Sequence, residues 1–423
     1  MRINSLKSSR ELESVSNIPN YPKSAFLRMS LICCATMGIF PHQFIFQNHQ
    51  IRQTCYNIYS KTCFGYMILF ILACYLELIV IVTSDQINFT ELFKNLIITP
   101  LCTITLIRIC LVWSQGFRRL INNIINSEES MEGEEQVKKI ERIFIKEINK
   151  NIKFYLFIMV STEISYSMRP FFENEEQVVV DNNTYLVRSL PLSTWFPFDA
   201  RKNFVKAYVI QVIDIFFASC YDSYSEFLLV SVLAYPIVRL KVLQHVFQHF
   251  DTYKLKSMES DGVEDPELGS VLFMKKCVRW HLSIIRYIDE FNRIMSTCMF
   301  LDFSQSSIHM ACVLVETVMV PTTCFKLFSV ALYILILNFR LYLYYYYANE
   351  VIILSEGLSA AIYQSNWYDE PREVKYMMGI MVMRNQKPLY YKLGGFGPMS
   401  LQVFLSILKA AYSYVMLVSR QMD

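Results

Sequence analysis

Long apolar runs separated by charged blocks are the main pattern along the chain. Seven runs are long enough to cross a bilayer at a helical rise of about 1.5 Å per residue. They cover residues 64–82, 92–113, 154–172, 205–233, 294–320, 325–343 and 401–419. A further apolar stretch at 26–46 carries Arg28, Pro41 and His42, so it is predicted to be interfacial or re-entrant. The pattern predicts an all-α membrane protein with seven transmembrane helices.

The polar blocks divide the chain into four predicted parts. Residues 1–62 form a polar tail with the interfacial segment, and residues 63–350 hold the first six spans with helical extensions at 116–150 and 237–292. Residues 351–398 form an amphipathic segment that ends in a Gly-rich hinge at Gly394 and Gly395. Residues 399–423 form the last span, with Ser400 as its predicted cap.

Lys and Arg are concentrated in the N-terminal region and in the second, fourth and sixth loops, which predicts a cytosolic N-terminus and an outer C-terminus. Two sequons, at Asn88 and Asn182, fall in loops that this rule places outside, and both are predicted glycosylation acceptors. The predicted orientation is the inverse of that of a G-protein-coupled receptor.

Composition narrows the class of protein. The chain is 53% hydrophobic and 15% aromatic, which is far from an ordinary soluble domain. A net charge of +3 without a basic, aromatic-rich patch gives no support to nucleic-acid binding. His245 and His249 have the i, i+4 spacing of metal ligands, but no third ligand is near them in the sequence. We therefore expect no enzyme activity, no cofactor and no metal site.

Ionisable residues within the predicted spans are candidates for function, although structural pairing explains most of them as well. Lys409 differs because it lies halfway along the last span. The full set is Glu77, Arg108, Glu163, Asp214, Asp222, Glu226, Asp302, Glu316 and Lys409.

The last span carries a stripe of small and polar residues on a helical period, closed by a branched apolar residue: Ser406, Ala410, Ser413, Leu417 and Gln421. One interpretation is a small-residue seam for helix packing. The other is a pore lining with a hydrophobic constriction at Leu417 or Val418.

The outer halves of spans two, three, four and six combine aromatic and aliphatic residues with a few hydroxyl groups. This mixture suits an apolar pocket for a small volatile or lipid-like ligand, but packing of these residues against one another is an equal alternative. The candidate ligand-binding residues are Phe93, Ile97, Ser161, Ile164, Ser165, Met168, Tyr208, Val212, Phe325, Phe328 and Tyr333.

Four C-terminal segments resemble the signature of one family in order and spacing. They are residues 361–368 (AIYQSNWY), 383–389 (MRNQKPL), 394–401 (GGFGPMSL) and 404–414 (FLSILKAAYSY). This block is similar to the C-terminal signature of the insect odorant receptors. The chain lacks the long cytosolic insertion expected of the odorant co-receptor, so it resembles a ligand-tuned subunit.

The resemblance implies a seven-span subunit of a ligand-gated, non-selective cation channel in the plasma membrane of sensory dendrites. It also implies a tetramer with the odorant co-receptor, in which span seven of each subunit lines a central pore for cations. The cytosolic extensions and residues 351–398 would form an anchor domain. Counting along the family motif from its tyrosines makes Leu417 the gate, whereas counting back from Gln421 makes it Val418.

Two other classes of protein remain as alternatives. A secondary transporter would need internal repeats and paired broken helices, and neither is evident in the sequence. A G-protein-coupled receptor would need the opposite orientation of the N-terminus.

Overall fold

The computed structural model describes residues 24–39, 50–84, 88–130, 135–172, 176–180, 183–200, 202–319 and 323–422. These residues form α-helices, one short 3-10 helix at Trp367–Asp369 and one β-hairpin. The helices are α1 (Arg28–Thr36), α2 (Gln50–Thr83), α3 (Phe89–Val112), α4 (Gln115–Ser130), α5 (Glu135–Phe172), α6 (Phe204–Gln248), α7 (Phe250–Asp261), α8 (Pro266–Met319), α9 (Cys324–Tyr363), α10 (Arg372–Asn385) and α11 (Leu401–Met422).

Each of the seven predicted spans lies within one helix, to within a residue at its ends. They fall in α2, α3, α5, α6, α8, α9 and α11, in that order. By length and mean hydropathy, three of the described helices could cross a membrane, namely α2, α3 and α9, and Leu401–Ala410 is a shorter apolar stretch. Helices α5, α6, α8 and α9 continue well beyond their predicted spans, because amphipathic sequence extends each apolar run.

Helix α6 lies at the centre of the bundle. Residues 225–240 are all buried, and the helix packs against α1, α3, α5, α8 and α9. The described part of the predicted interfacial segment is α1, which lies along α6. There the Ser30 hydroxyl donates to the Phe227 carbonyl oxygen at 3.1 Å, and the Cys34 thiol donates to that of Tyr224. Because α6 is enclosed, its position fixes those of its neighbours.

The stretch between α5 and α6, which reads as a polar loop, contains a hairpin. Strands β1 (Glu176–Val180) and β2 (Asn183–Val187) pair antiparallel, with Glu176 opposite Val187 and Val180 opposite Asn183. The run of three valines at 178–180 explains the difference, since β-branched residues favour extended backbone.

A turn clamped to α8 precedes α11. Gly394 has φ +54°, and its N–H donates to the Ser296 carbonyl oxygen at 3.0 Å. A Cβ at this position would lie 3.0 Å from Cβ of Phe300, so both the backbone conformation and the close contact favour glycine. Gly395 has no such constraint. Helix α11 begins at Leu401, as the sequence predicts.

Candidate functional site

A cavity of about 120 Å³ lies among α3, α5, α6 and α9, the four helices whose outer halves the sequence marked as a ligand pocket. Its wall is mainly aliphatic and aromatic, with four charged side chains and a few hydroxyl groups. A cavity of about 150 Å³ with an apolar lining can hold a molecule of benzene, so this space suits a ligand of similar size. The lining includes Ile97, Ile98, Leu101, Tyr155, Met159, Glu163, Tyr166, Leu192, Ile215, Ala218, Asp222, Tyr333, Ile336 and Arg340.

Five ionisable residues form a buried cluster at one end of the cavity. Arg108 pairs with Asp222 at 3.1 Å, with Glu226 at 2.8 Å and with Asp302 at 3.1 Å. Arg340 pairs with the same Glu226 at 3.0 Å and with Asp302 at 3.5 Å. We call this set the charge cluster. It ties α3, α6, α8 and α9 together through two arginines and three carboxylates.

Hydroxyl groups add further hydrogen bonds to the charge cluster. Thr105 donates to Asp222, while Arg108 donates to Ser225 and Arg340 donates to Ser306. A buried charge is tolerated when it is paired and hydrogen-bonded, and removal of one partner leaves the others uncompensated. The geometry therefore supports structural pairing for the four members that the sequence singled out. Arg340, the fifth member, is absent from the sequence candidates, because it lies near the predicted end of its span.

The outer end of the cavity is covered by the loop at 188–200. Leu192 and Lys94 line both the cavity and a polar vestibule on its outer side. The buried amide of Gln211 holds the loop: its Nε2 donates to the Leu192 carbonyl oxygen at 2.9 Å, and its Oε1 accepts from the Leu192 N–H at 3.0 Å. The buried Asn95 amide donates to the Ser193 carbonyl oxygen. These bonds close the cavity towards the vestibule.

A chain of polar side chains runs from the cavity into α8. The Tyr333 hydroxyl on the cavity wall lies 2.7 Å from Nε2 of His309, and Nδ1 of His309 lies 2.8 Å from Nε2 of Gln305. Both His309 and Gln305 are buried. His309 is thus a hydrogen-bonded residue of the bundle, as we expected from its position in span five.

Two of the predicted ligand-binding residues, Ile97 and Tyr333, lie on the cavity wall. The other nine lie elsewhere. Ile164, Met168 and Phe328 are exposed on the outside of the bundle, while Ser161 and Val212 are partly exposed. Phe93 packs beside Ile97, Phe325 stacks on Phe172, Tyr208 donates to the Ser167 carbonyl oxygen, and Ser165 hydrogen-bonds to Ser329.

Glu163 is the member of the ionisable set that differs most from the charge cluster. It lies on the cavity wall with 9% of its surface exposed. Its Oε1 has no hydrogen-bond partner among the described residues, and none of the ion pairs they form includes it. By contrast, Asp214, the acid of α6 nearest the outer end, accepts a short hydrogen bond from Tyr66.

The polar stripe of α11 faces away from its own subunit. Ser406, Lys409, Ala410 and Ser413 are exposed, whereas Ile407 is buried against the bundle. The stripe is therefore not a packing seam within this chain over the residues described. The side chains of Leu417, Val418 and Gln421, which carry the gate prediction, lie outside the described residues.

Asn88 has a structural role besides its predicted glycosylation. Its Oδ1 accepts from the N–H groups of Thr90 and Glu91 at 3.1 and 3.3 Å, so it caps the N-terminus of α3. Asn182, the other predicted acceptor, lies outside the described residues.

Together, the helical bundle and its long apolar helices define a polytopic helical membrane protein with a small, mainly apolar cavity. The family described as 7tm Odorant receptor matches residues 88–412. The chain belongs to this family, whose members are receptors and not enzymes.

Curated relatives support the assignment. Odorant receptor 10 of Aedes albopictus is 29% identical over 239 residues, which are 55% of this chain and 61% of that protein. Odorant receptor Or2 of Anopheles gambiae is 27% identical, over 50% of this chain and 55% of that protein. Odorant receptor 30a of Drosophila melanogaster is 28% identical, over 55% of this chain and 60% of that protein. The chain thus spans less than two thirds of the length of each.

A solved structure shows the same fold over almost the whole chain. The insect olfactory receptor OR5 of Machilis hrabei, in complex with eugenol, superposes with a TM-score of 0.75. The match covers 94% of this chain and 98% of OR5, at 16% sequence identity. The chain therefore has the seven-helix fold that its apolar runs predict.

Proposed function

We propose that the chain is a subunit of an odorant-gated, non-selective cation channel. The observation that carries the proposal is the enclosed cavity among α3, α5, α6 and α9. The cavity is about the size of a small aromatic volatile molecule. Its outer end, under the loop at 188–200, borders the polar vestibule. The related OR5 was solved with eugenol, which is a ligand of this kind.

Helix α11 supplies the pore in this proposal. Its polar stripe, Ser406, Ala410 and Ser413, faces away from its own subunit, as a pore lining or a subunit contact requires. The partner would be the odorant co-receptor, in a heterotetramer in the plasma membrane of sensory dendrites. The N-terminus would be cytosolic, and residues 237–292 and 351–398 would form the anchor domain that holds the subunits together.

Ligand binding in the cavity would shift a closed-to-open equilibrium, because the cavity and α11 share neighbours. Tyr333 contacts His309 of α8, and α8 is also the helix to which the Gly394 turn is clamped. A ligand that binds the open state better shifts the population towards it. The hydrophobic constriction at Leu417 or Val418 would widen when α11 moves outwards.

Whole-cell current in heterologous cells tests the channel directly. Cells with this chain and the co-receptor are expected to conduct cations when a panel of small volatiles is applied. Cells that express either protein alone are the controls, because they show which responses need this subunit. A response that requires a G protein would contradict the proposal, and saturable, stoichiometrically coupled flux would favour a transporter.

Substitutions at the two gate candidates refine the proposal. A larger or charged side chain at the gate is expected to change conductance or basal opening, because the constriction controls wetting of the pore. Leu417→Glu and Val418→Glu are compared with Leu405→Glu, which is at an exposed position near the start of α11. A change in conductance or basal opening at one of the two positions identifies the gate. Unchanged conductance and basal opening at both positions would contradict the pore assignment.

A further inference from the structure

The cavity wall carries one acidic side chain that takes no part in the ion pairs of the described residues. Of its four charged residues, Lys94 pairs with Glu91 at 2.9 Å, while Asp222 and Arg340 belong to the charge cluster. Glu163 is the fourth, and it has no ion-pair partner among the described residues. The charge cluster holds two arginines against three carboxylates, so Glu163 adds a further acid to a region that already has an excess of one.

Three hydroxyl donors on the wall already have hydrogen-bond partners. The Thr162 hydroxyl donates to the Ile158 carbonyl oxygen at 2.8 Å, and the Thr105 hydroxyl donates to Asp222. The Tyr333 hydroxyl is engaged with His309. Two buried polar atoms of wall residues have no hydrogen-bond partner among the described residues, namely Oε1 of Glu163 and the Nε–H of Arg340. Glu163 therefore offers an unused acceptor to a ligand in the cavity.

Such an acid is costly to bury, so its presence calls for an explanation. A buried polar atom without a hydrogen bond costs about 1–3 kcal/mol, and more if it is charged. An unpaired group in a native protein calls for an explanation, and at a binding site a ligand can complete the hydrogen bonding. Glu163 fits this description, because the residue is nine-tenths buried and lies on the wall of a space that can hold a ring.

We infer that Glu163 selects the ligand, which is a small apolar molecule with one ring and one O–H or N–H group that donates to Oε1. The inference rests on the proposed function and specifies the chemistry of its ligand. The aliphatic wall, with Ile97, Leu101 and Ile215, contacts the ring, and Glu163 fixes its orientation. An isostere without the donor leaves the acid unpaired and binds less well.

Matched ring compounds test the selection. Phenol and aniline carry a donor, toluene has a methyl group in the same place, and anisole has an acceptor alone. In cells with the co-receptor, half-maximal current is expected at lower concentrations of phenol and aniline than of toluene and anisole. Glu163→Met is expected to raise the half-maximal concentration of the two donors by about 10- to 100-fold and to leave that of toluene unchanged.

Two further variants control for packing. Glu163→Gln keeps an acceptor oxygen and is expected to retain part of the preference for donors. Phe157 lies on the exposed side of α5, so Phe157→Leu is expected to leave every response unchanged. Equal wild-type sensitivity to toluene and phenol would overturn the inference, as would an equal shift of both by Glu163→Met.

A binding measurement separates this inference from the channel proposal. Phenol is expected to raise the thermal unfolding midpoint of the purified full chain, since a ligand that binds the folded state stabilises it, whereas toluene and the Glu163→Met variant show less effect. If phenol stabilises the wild type selectively but no current is seen, the channel proposal fails and the inference stands. If phenol and toluene stabilise the wild type equally, the inference is wrong.

Discussion

Helix α6 passes through two regions of opposite character. Residues 225–240 are buried on every side, whereas residues 205–224 include exposed positions and five residues of the cavity wall. Glu226 in the inner region makes ion pairs with two arginines, while Glu163, which faces the outer region, makes none among the described residues. The comparison shows that the acid of the inner region is neutralised by ion pairs, whereas the acid on the cavity wall is not.

The cavity itself has a cost that the inner region avoids. At about 24 cal/mol per Å³, a cavity of 120 Å³ destabilises the fold by about 3 kcal/mol. A ligand that fills the space restores those contacts, so binding and stability of the outer region are linked. Four predictions examine the stability of these regions and of the segments that adjoin them, beginning with the largest expected effect.

Arg108→Met is expected to have the largest effect, because it leaves three buried carboxylates with one arginine. We expect a loss of about 3–5 kcal/mol in the free energy of unfolding, with poor delivery to the cell surface. Arg119→Met is the control: the pair of Arg119 with Glu290, at 3.6 Å, is on the surface, and its loss changes stability by less than about 1 kcal/mol. Equal thermal unfolding midpoints for the two variants would contradict this account of the inner region.

Acid is expected to loosen the part of α8 around His281. Burial, together with the charge of Arg384, lowers the pKa of His281 from 6.5 to about 4. Between these values the unfolded chain binds a proton that the folded chain does not, so stability is present above pH 6.5 and is lost as the pH falls. The loss from pH 6.5 to pH 5 is about 2 kcal/mol.

Amide exchange at residues 272–288, compared at pH 7 and pH 5, measures this loss. His281→Gln removes the titrating group and is expected to abolish the dependence on pH that His281 contributes. Exchange in this segment that stays independent of pH in the wild type would count against the prediction.

Gln211→Leu is expected to release the loop over the cavity. It removes three hydrogen bonds, two to the backbone of Leu192 and one to Thr194, at a cost of about 1 kcal/mol each. Faster amide exchange at residues 190–196 and faster decay of current after ligand removal are the expected results. Gln248→Leu, at the exposed end of the same helix, is the control. Unchanged exchange in the loop would show that other contacts hold it.

Gly394→Ala is expected to destabilise the turn before α11 by about 1–3 kcal/mol, because alanine is strained at φ +54° and its Cβ meets Phe300. Gly395→Ala is the matched control, since a Cβ there meets no atom within 4 Å. Thermal unfolding and basal current of the two variants give the comparison. Equal behaviour would mean that the turn tolerates a side chain at both glycines.

The positions of the helices could be predicted from the sequence, but which face of each helix lines the cavity could not. The apolar runs predicted seven segments that each lie in one helix, and the glycine-rich break predicted that α11 begins at Leu401. On α5, however, the sequence favoured Ile164 and Met168, which are exposed, over Met159 and Glu163, which line the cavity. Lipid tails are as apolar as a protein core, so hydrophobic periodicity does not distinguish the two sides of a transmembrane helix.

The charge cluster shows a second limit of the sequence. Arg108, Asp222, Glu226 and Asp302 were recognisable as ionisable residues within spans, and pairing was the expected explanation. Their partner Arg340 was not recognised, because a residue near the end of a predicted span reads as interfacial. Only the packing of α3, α8 and α9 around α6 brings these side chains within 4 Å of their ion-pair partners.

The most direct test of the central claim is to fill the cavity and measure ligand-evoked current. Ala218 lines the cavity on α6, and Ala218→Phe places a ring in the space that the ligand needs. Val209→Phe adds the same ring to an exposed position of the same helix. With the co-receptor present and surface expression matched, we expect Ala218→Phe to abolish the response or shift it by at least about 100-fold, and Val209→Phe to respond as the wild type. An undiminished response from Ala218→Phe would show that the ligand acts elsewhere.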